Sequence, residues 1–469
     1  MSETALVPPA APVHPPSARP PGPKGHPIYG NLWEFHEDPV AFQMRVVREF
    51  GDIARFRFFH LPVYLVSHPD DIRTVFVDPE GAFIKGMALD GFRPLVGKGL
   101  LLNEGASHRR QRRMMAPAFH RQRVAGYGEV MLEEAKRVSA TWADGARVDM
   151  DKEMNRLTLT VAARTLFGAG ITDTEANDVA EAMGAFTHWY HQSTHPMGPL
   201  LQALPTEATR SFKAAKKKLG LVVDRMIKSR REGGDTGDIL SMLVFARDEG
   251  DGTAGSGGGG MDDEYVHDEA ITLLVAGHET TGATLAWAWA LLAEHPEVAT
   301  KLRAELDAVL GDRDPTVHDF PKLEYARNVF GEALRLYPSA TALPRQAVKP
   351  VVLAGYTVPK GAIVMCAAWS CHHDARFWDD PEAFRPERWT AEAKATRPKF
   401  AFFPFGGGAR VCIGEAFAWM EGTLLLATLA RRWSASVAPG HTVIPEALFT
   451  VRPKGGLPMV LSRALPNGG

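Results

Sequence analysis

With 469 residues and a formal net charge of −2, the chain offers no bulk-charge case for binding nucleic acid. Hydrophobic residues make up 45% and charged residues 23%, the balance of a globular protein with a large core rather than of a disordered or fibrous chain. Three cysteines, Cys366, Cys371 and Cys412, are too few for a disulfide framework and fit a reducing, cytoplasmic location.

The first stretch, residues 1–21, is rich in Pro and Ala. It has neither the apolar run of a membrane anchor nor the basic-then-apolar layout of a signal peptide, so it is predicted to be a disordered lead-in. Asp38 to Phe50 then reads as an amphipathic helix. Asp52–Phe59 and Val63–Ser67 alternate as a β-hairpin turning at His60-Leu61-Pro62. Gly86 to Leu102 is predicted to be a loop. Its apolar residues, Met87, Leu89, Phe92 and Leu95, suit either the cover of a cavity or a cap on the core.

Ser107 to Met115 reads as a helix stopped by Pro117, with His108 and Arg112 four apart on one face. Arg109, Arg110 and Arg113 are either a solvated face or a basic patch for an acidic protein. Helices follow from Gln122 to Arg231, broken at Gly168-Ala169-Gly170 and between Pro196 and Pro205. An aromatic cluster runs from Phe186 to His191. The glycine-rich run of residues 250–260 reads as a flexible linker.

Asp268 to His295 is the longest predicted helix, stopped by Pro296. Its apolar stretch, Gly282 to Ala293, is shorter than the ~20 residues a bilayer span needs, which makes it a core helix. Within it lies Ala276-Gly277-His278-Glu279-Thr280-Thr281. An acid and a hydroxyl inside an apolar helix are costly unless they have partners or a task. The threonine can also bond back to the preceding turn and open the helix there. Leu323 to Leu336 is a further helix, carrying Glu332 and Arg335 three apart. Val351–Thr357 and Ala362–Ala367 read as strands. Then comes Phe405-Gly406-Gly407-Gly408-Ala409-Arg410-Val411-Cys412-Ile413-Gly414. Three glycines let the backbone turn tightly and approach a flat partner, and a cysteine at a helix start is biased toward thiolate. The helix after it is predicted to reach about Arg432, before a strand-rich tail.

Phe405, Gly408, Arg410, Cys412 and Gly414 resemble the F-x-x-G-x-R-x-C-x-G haem-thiolate signature of the cytochrome P-450 family. Ala276–Thr281 is similar to that family's [AG]-G-x-[DE]-T-[TS] motif, His108/Arg112 to its H-x-x-x-R, and Glu332/Arg335 to its E-x-x-R. The resemblance implies a mainly α fold with a smaller β-rich portion, residues 22–469 forming a single domain. It implies haem b held through Cys412, with His108, Arg112, Arg345, Phe405, Arg410 and Gly414 around the cofactor. Ala276 and Gly277 would make room for dioxygen, and Glu279 with Thr280 would deliver protons. Glu332, Arg335 and Arg388 would form a buried ionic triad of structural role. The family commonly has Phe where Trp389 stands. Leu89, Phe92, Val275, Ala342, Leu343, Leu448 and Phe449 would line the substrate pocket. The implied reaction is insertion of one oxygen atom into a hydrophobic small molecule (a terpenoid, steroid or fatty acid), with electrons from a ferredoxin and its reductase. Two alternatives are a reductase-independent peroxygenase or isomerase and a non-enzymatic haem sensor.

Overall fold

The structure is a computed structural model and describes residues 19–168, 172–194, 204, 206–248, 259–447 and 450–464. Most of the expected lead-in (1–21) and of the glycine-rich linker (250–260), together with Leu448 and Phe449, lie outside the described residues. The chain is mainly helical, with a smaller β-rich portion.

The central helix spans Asp263–Glu294. Asp262 caps it by accepting from the Tyr265 N–H at 2.9 Å, and Asp263 and Glu264 in its first turn complement the helix dipole. From Gly282 to Leu292 it carries no charged residue, and every residue there is buried. Helices Met150–Phe167, Glu207–Gly233, Glu324–Leu336 and Glu415–Ala430 pack around it. Trp287 stacks on Tyr337 at 3.7 Å between ring centres and donates its indole N–H to the Val451 carbonyl, tying the tail to this core. Gly422 permits the close approach of two of these helices, because a Cβ there would stand 2.2 Å from the Phe330 ring.

The larger sheet runs in the order Ile53–Phe58, Leu61–Val66, Ile363–Cys366, Leu343–Ala347, Phe83–Ile84. Only the Leu61–Val66 and Ile363–Cys366 pair is parallel. The hairpin turns at Phe59-His60, with Phe59 at φ 51°, rather than at His60-Leu61-Pro62. Pro62 instead sits in the strand opposite Arg57, one residue before the parallel pairing begins, where its missing N–H breaks no bond of that pairing. Val351–Thr357, predicted as one strand, is two: Val351–Leu353 and Tyr356–Val358 pair across Ala354-Gly355, both at positive φ. The predicted loop from Gly86 is a 3-10 turn, Gly86–Phe92, followed by a short helix, Arg93–Val96. Phe92 and Leu95 are buried there, because the Phe92 ring packs 4.6 Å from Tyr190 and 5.9 Å from Phe186.

Candidate functional site

Cys412 sits at the end of a loop closed by two backbone bonds, Cys412 N–H to Phe405 O and Gly406 N–H to Phe403 O, both 2.9 Å. Gly406 and Gly408 take the left-handed region, φ 71° and 64°. The glycines also serve neighbours within the protein. A Cβ on Gly408 would stand 2.0 Å from the Phe76 carbonyl oxygen, and one on Gly407 2.5 Å from the Phe400 ring. Close approach to a flat partner is therefore not needed to explain Gly407 and Gly408, since helix Pro69–Val77 and Phe400 already demand them.

The Cys412 side chain is solvent-accessible although protein atoms crowd its sulfur, the combination expected of a thiol set in a recess rather than on an open surface. Burial pushes its thiol up, opposed by the Gly414 N–H bonded to the sulfur and by Lys85 and Arg112, while Glu415 adds to the rise. Cys366 and Cys371 are buried and accessible to nothing; burial pushes the Cys366 thiol to about 12 and that of Cys371 well above its ordinary value.

Around Cys412 the structure gathers a cluster of cations. Arg112 donates to the Val411 carbonyl at 2.8 Å, fixing helix Gly105–Met115 to the residue before the cysteine. Arg410 is paired with the Glu104 carboxylate and donates to the Asn103 carbonyl at 2.5 Å. Arg345 is buried, lies 5.1 Å from the Phe76 ring centre and donates to the Pro344 carbonyl at 2.9 Å. Lys85 completes the group. Burial, with Arg345 and Arg410 and further Arg112, brings its ammonium down to about 7, against a raising effect of Cys412. His108 is buried, and burial followed by Lys85, Arg112 and Arg109 pushes it down to about 4, so it is a neutral imidazole at pH 7.

Lys85 is absent from every local motif. Its place comes from strand pairing: Phe83 faces Ala347 and Ile84 faces Gln346, so continuing the register sets Lys85 against Arg345. Among the described residues the only carboxylate bonded within the cluster is Glu104, which pairs with Arg410 and accepts the Lys85 backbone N–H at 2.6 Å. Cationic charge therefore exceeds anionic charge at the cleft, the condition that favours a ligand bearing carboxylates.

On the central helix, Ala276 is exposed and Thr280 half-exposed, although Val275, His278 and Glu279 beside them are buried. Ala276 and Thr280, four residues apart, thus form one accessible strip on a helix that is otherwise core. The Thr280 hydroxyl donates back to the Ala276 carbonyl at 2.9 Å, but the helix stays α-helical throughout and does not open. Glu279 turns the other way. Its Oε1 accepts from the Thr450 hydroxyl at 3.3 Å and lies 3.5 Å from Arg452 Nε, while Oε2 is buried without a partner.

The remaining candidates distribute unevenly. Val275 and Phe92 are core residues; Leu89, Ala342 and Leu343 are half-buried. Leu343 reaches the cysteine loop, its Cδ1 being 3.7 Å from the Cβ position of Gly406. Phe405 packs against Trp419, ring centres 6.0 Å apart. Glu332, Arg335 and Arg388 meet as a fully buried ion network, with Arg335 at 2.8 Å and Arg388 at 3.1 Å from Glu332 Oε1. Trp389 adds a bond that Phe could not make, its indole N–H donating to Glu332 Oε2 at 3.0 Å. Arg110 and Arg113 do not present a free basic face with Arg109, since both pair with the buried Asp248 carboxylate at 3.1 and 3.2 Å.

Among the described residues no group of three or more His, Cys, Asp and Glu side chains is arranged to hold a metal ion. A lone accessible thiol beside an excess of cations suits instead a metal carried by an anionic macrocycle, and the residues present fit haem in that respect.

The cytochrome P450 family profile matches residues 20–457, and the chain belongs to that family. It is accordingly an oxidoreductase, a haem-thiolate monooxygenase. Among curated proteins it is 37% identical to cyclooctat-9-en-7-ol 5-monooxygenase of Streptomyces melanosporofaciens, over 92% of this chain and 93% of that one. It is 36% identical to cyclooctatin synthase of the same organism, over 90% and 91% of the two chains. Pentalenene oxygenase of Streptomyces avermitilis is 34% identical over 91% and 93%. Among solved structures, the haem domain of cytochrome P450DA superposes with a TM-score of 0.83 at 27% identity, covering 95% of this chain and 98% of that one. No helix of the described residues is long and apolar enough to cross a membrane.

Proposed function

We propose that this monooxygenase binds haem b through Cys412 and oxygenates a cyclic terpenoid, drawing electrons from a ferredoxin. The observation that carries the reading is the accessible Cys412 sulfur enclosed beside Lys85, Arg112, Arg345 and Arg410. When bound, haem supplies the redox chemistry that activates dioxygen. Cys412 would ligate the iron, with the Gly414 N–H bonded to the sulfur to moderate its charge. Lys85, Arg112, Arg345 and Arg410 would meet the propionate carboxylates, and His108 would offer a further hydrogen-bonding group. The Ala276–Gly277 strip would leave space for dioxygen. Thr280 would hold a proton-bearing hydroxyl at the cleft, and Glu279 would pass protons to it. Leu89, Ala342 and Leu343 would supply apolar contact to substrate.

The terpenoid class rests on the apolar candidates of the cleft and on the terpenoid names of the relatives. The test is to reconstitute the holoprotein with a bacterial ferredoxin and its reductase and offer cyclic terpenes, steroids and fatty acids. A spin-state shift and oxygenated product with a cyclic terpene are expected. Thr280→Ala should keep reductant consumption while product formation falls roughly a hundredfold, the lower end of the range for loss of a proton-transfer group. Turnover that proceeds with peroxide but not with reductase would favour the peroxygenase reading instead.

For the electron donor we propose a face other than the Arg109–Arg113 helix. A cleft of about 820 Å³ beside the cysteine helix is lined by the cations Arg121, Arg327, Lys394, Arg397 and Lys399, by the Glu415 carboxyl, and by Trp389 and Trp419. Among the described residues none of its Arg and Lys side chains is paired with a carboxylate. An acidic ferredoxin would find an excess of cations there, five against the one Glu415 carboxyl. Lys394→Glu with Lys399→Glu, both exposed positions, should raise the KM for ferredoxin roughly tenfold at low salt and little at high salt. An unchanged KM would return the docking face to Arg109.

A further inference from the structure

Glu279 has an environment that the acid–threonine motif does not account for. The strand Val451–Pro453 is held against the central helix by the Trp287 indole bonded to Val451 O and by the Val451 N–H bonded to Ser339 O at 3.2 Å. Ser339 in turn donates its hydroxyl to the Thr280 carbonyl at 3.1 Å. This strand carries Arg452, whose Nε lies 3.5 Å from Glu279 Oε1. The other end of the same guanidinium donates to Asn155 Oδ1 at 2.5 Å and lies 4.0 Å from Asp151 Oδ2. Asn155 closes the group by donating to Asp151 Oδ1 at 3.0 Å. Along this chain of contacts the side chain is 1% exposed at Glu279, 25% at Arg452 and 11% at Asp151, so Arg452 is more exposed than either carboxylate it faces.

We propose that Arg452 is a positioning residue for Glu279, holding its carboxyl turned away from the Ala276–Thr280 strip, and that Asn155 and Asp151 hold the guanidinium in place from its other end. The inference rests on the reading of Glu279 as the proton donor to Thr280. Its physical content is a balance of opposed effects. Burial of Glu279 favours the neutral acid; Arg452 and the Thr450 hydroxyl favour the carboxylate; Asp151 opposes it. These are the charged groups that face Glu279 from the tail strand and from helix Met150–Phe167. His278, on its own helix, directs its ring Nδ1 to the Leu274 carbonyl at 2.8 Å. Because one oxygen of Glu279 has no partner, the carboxyl has unused hydrogen-bonding capacity. It can change rotamer once the attraction of Arg452 is weakened, as protonation of Glu279 weakens it. An acid that is held when charged and released when neutral delivers a proton in the direction in which it moves.

The test is an infrared pH titration of the holoprotein, with the Glu279 carboxyl band assigned by its disappearance in Glu279→Gln. In Arg452→Leu the midpoint should move to higher pH, since the carboxylate loses its cation while burial remains. In Arg452→Lys it should stay near that of the wild type, and in Asp151→Asn it should move to lower pH. The pH profile of product formed per reductant consumed should follow the same order. An Arg452→Leu midpoint equal to that of the wild type overturns the inference. If Arg452→Leu does not fold, an unmoved midpoint in Asp151→Asn overturns it equally. The underlying reading fails separately: should Glu279→Gln leave product yield per reductant unchanged, Glu279 is not the proton donor, whatever the infrared midpoints do.

Discussion

Replacing Cys412 by alanine is expected to abolish the strongly red-shifted Soret band of the reduced, carbon monoxide-bound protein and to bring product formation to background. Cys366→Ala and Cys371→Ala should retain both. The asymmetry follows from access. The Cys412 side chain is exposed, while Cys366 and Cys371 are 0% exposed. Cys371 directs its Sγ at the Phe400 and Ala401 carbonyls, 3.7 and 3.8 Å away, and behaves as a small buried side chain. The thiolate is the metal-binding form. Of the influences on Cys412, the Gly414 N–H, Lys85 and Arg112 favour that form, against burial and Glu415. A Cys412→Ala protein that kept the red-shifted band would place the ligand elsewhere and remove the basis for the site described above. A protein that lost the band but kept oxygenating substrate would separate the spectrum from the chemistry.

Groups that lie within one helix or one loop are legible in this chain because helical spacing alone brings them together. Glu332 and Arg335 are three residues apart and Ala276 and Thr280 four, and their relative placement needs no tertiary knowledge. Phe405 to Gly414 is legible for a similar reason, since its glycines and cysteine belong to one turn. The contacts that periodicity cannot reach are those made by pairing across the chain. Lys85 reaches Arg345 only through the register of two strands some 260 positions apart in sequence, and on sequence it is one lysine after a short apolar pair. Arg452 belongs to a tail strand whose partner on the central helix depends on the bonds made by Trp287 and Ser339. Asp248 draws Arg110 and Arg113 away from a docking face that spacing alone suggests. The split of Val351–Thr357 into two strands has a local cause that composition hides. Ala354 adopts φ 47° in the turn, a conformation usually left to Gly, Asn or Asp.

Glu332→Ala is expected to be the most destabilising single change outside the cysteine loop. Glu332 accepts from Arg335 with both oxygens, from Arg388 Nε at 3.1 Å, from the Arg385 backbone N–H at 3.1 Å and from the Trp389 indole at 3.0 Å. Arg335 also donates to the carbonyls of His372, Pro381 and Ala383 and lies 4.9 Å from the Trp378 ring centre. Its side chain is 0% exposed. Removing the carboxylate leaves two guanidiniums inside the protein facing carbonyls alone, a loss of about 3–5 kcal/mol for one partner of a buried pair. That is a large share of the 5–15 kcal/mol by which folded chains are stable. Arg335→Lys should also be costly, because a lysine ammonium lacks the planar fork that reaches Glu332 and the three carbonyls together. Near-ultraviolet circular dichroism against denaturant, with the Soret band followed in parallel, would measure both. The double change Glu332→Ala with Arg335→Ala should cost less than the sum of its parts, because neither charge is then left without the other. Strict additivity would mean that the two side chains stabilise the fold independently, and an unchanged midpoint in Glu332→Ala would mean that water reaches the guanidiniums. Trp389→Phe isolates the bond this chain adds to the network. It keeps an aromatic ring at the position and deletes only the indole N–H, so its cost should be about 1 kcal/mol, the net worth of one hydrogen bond.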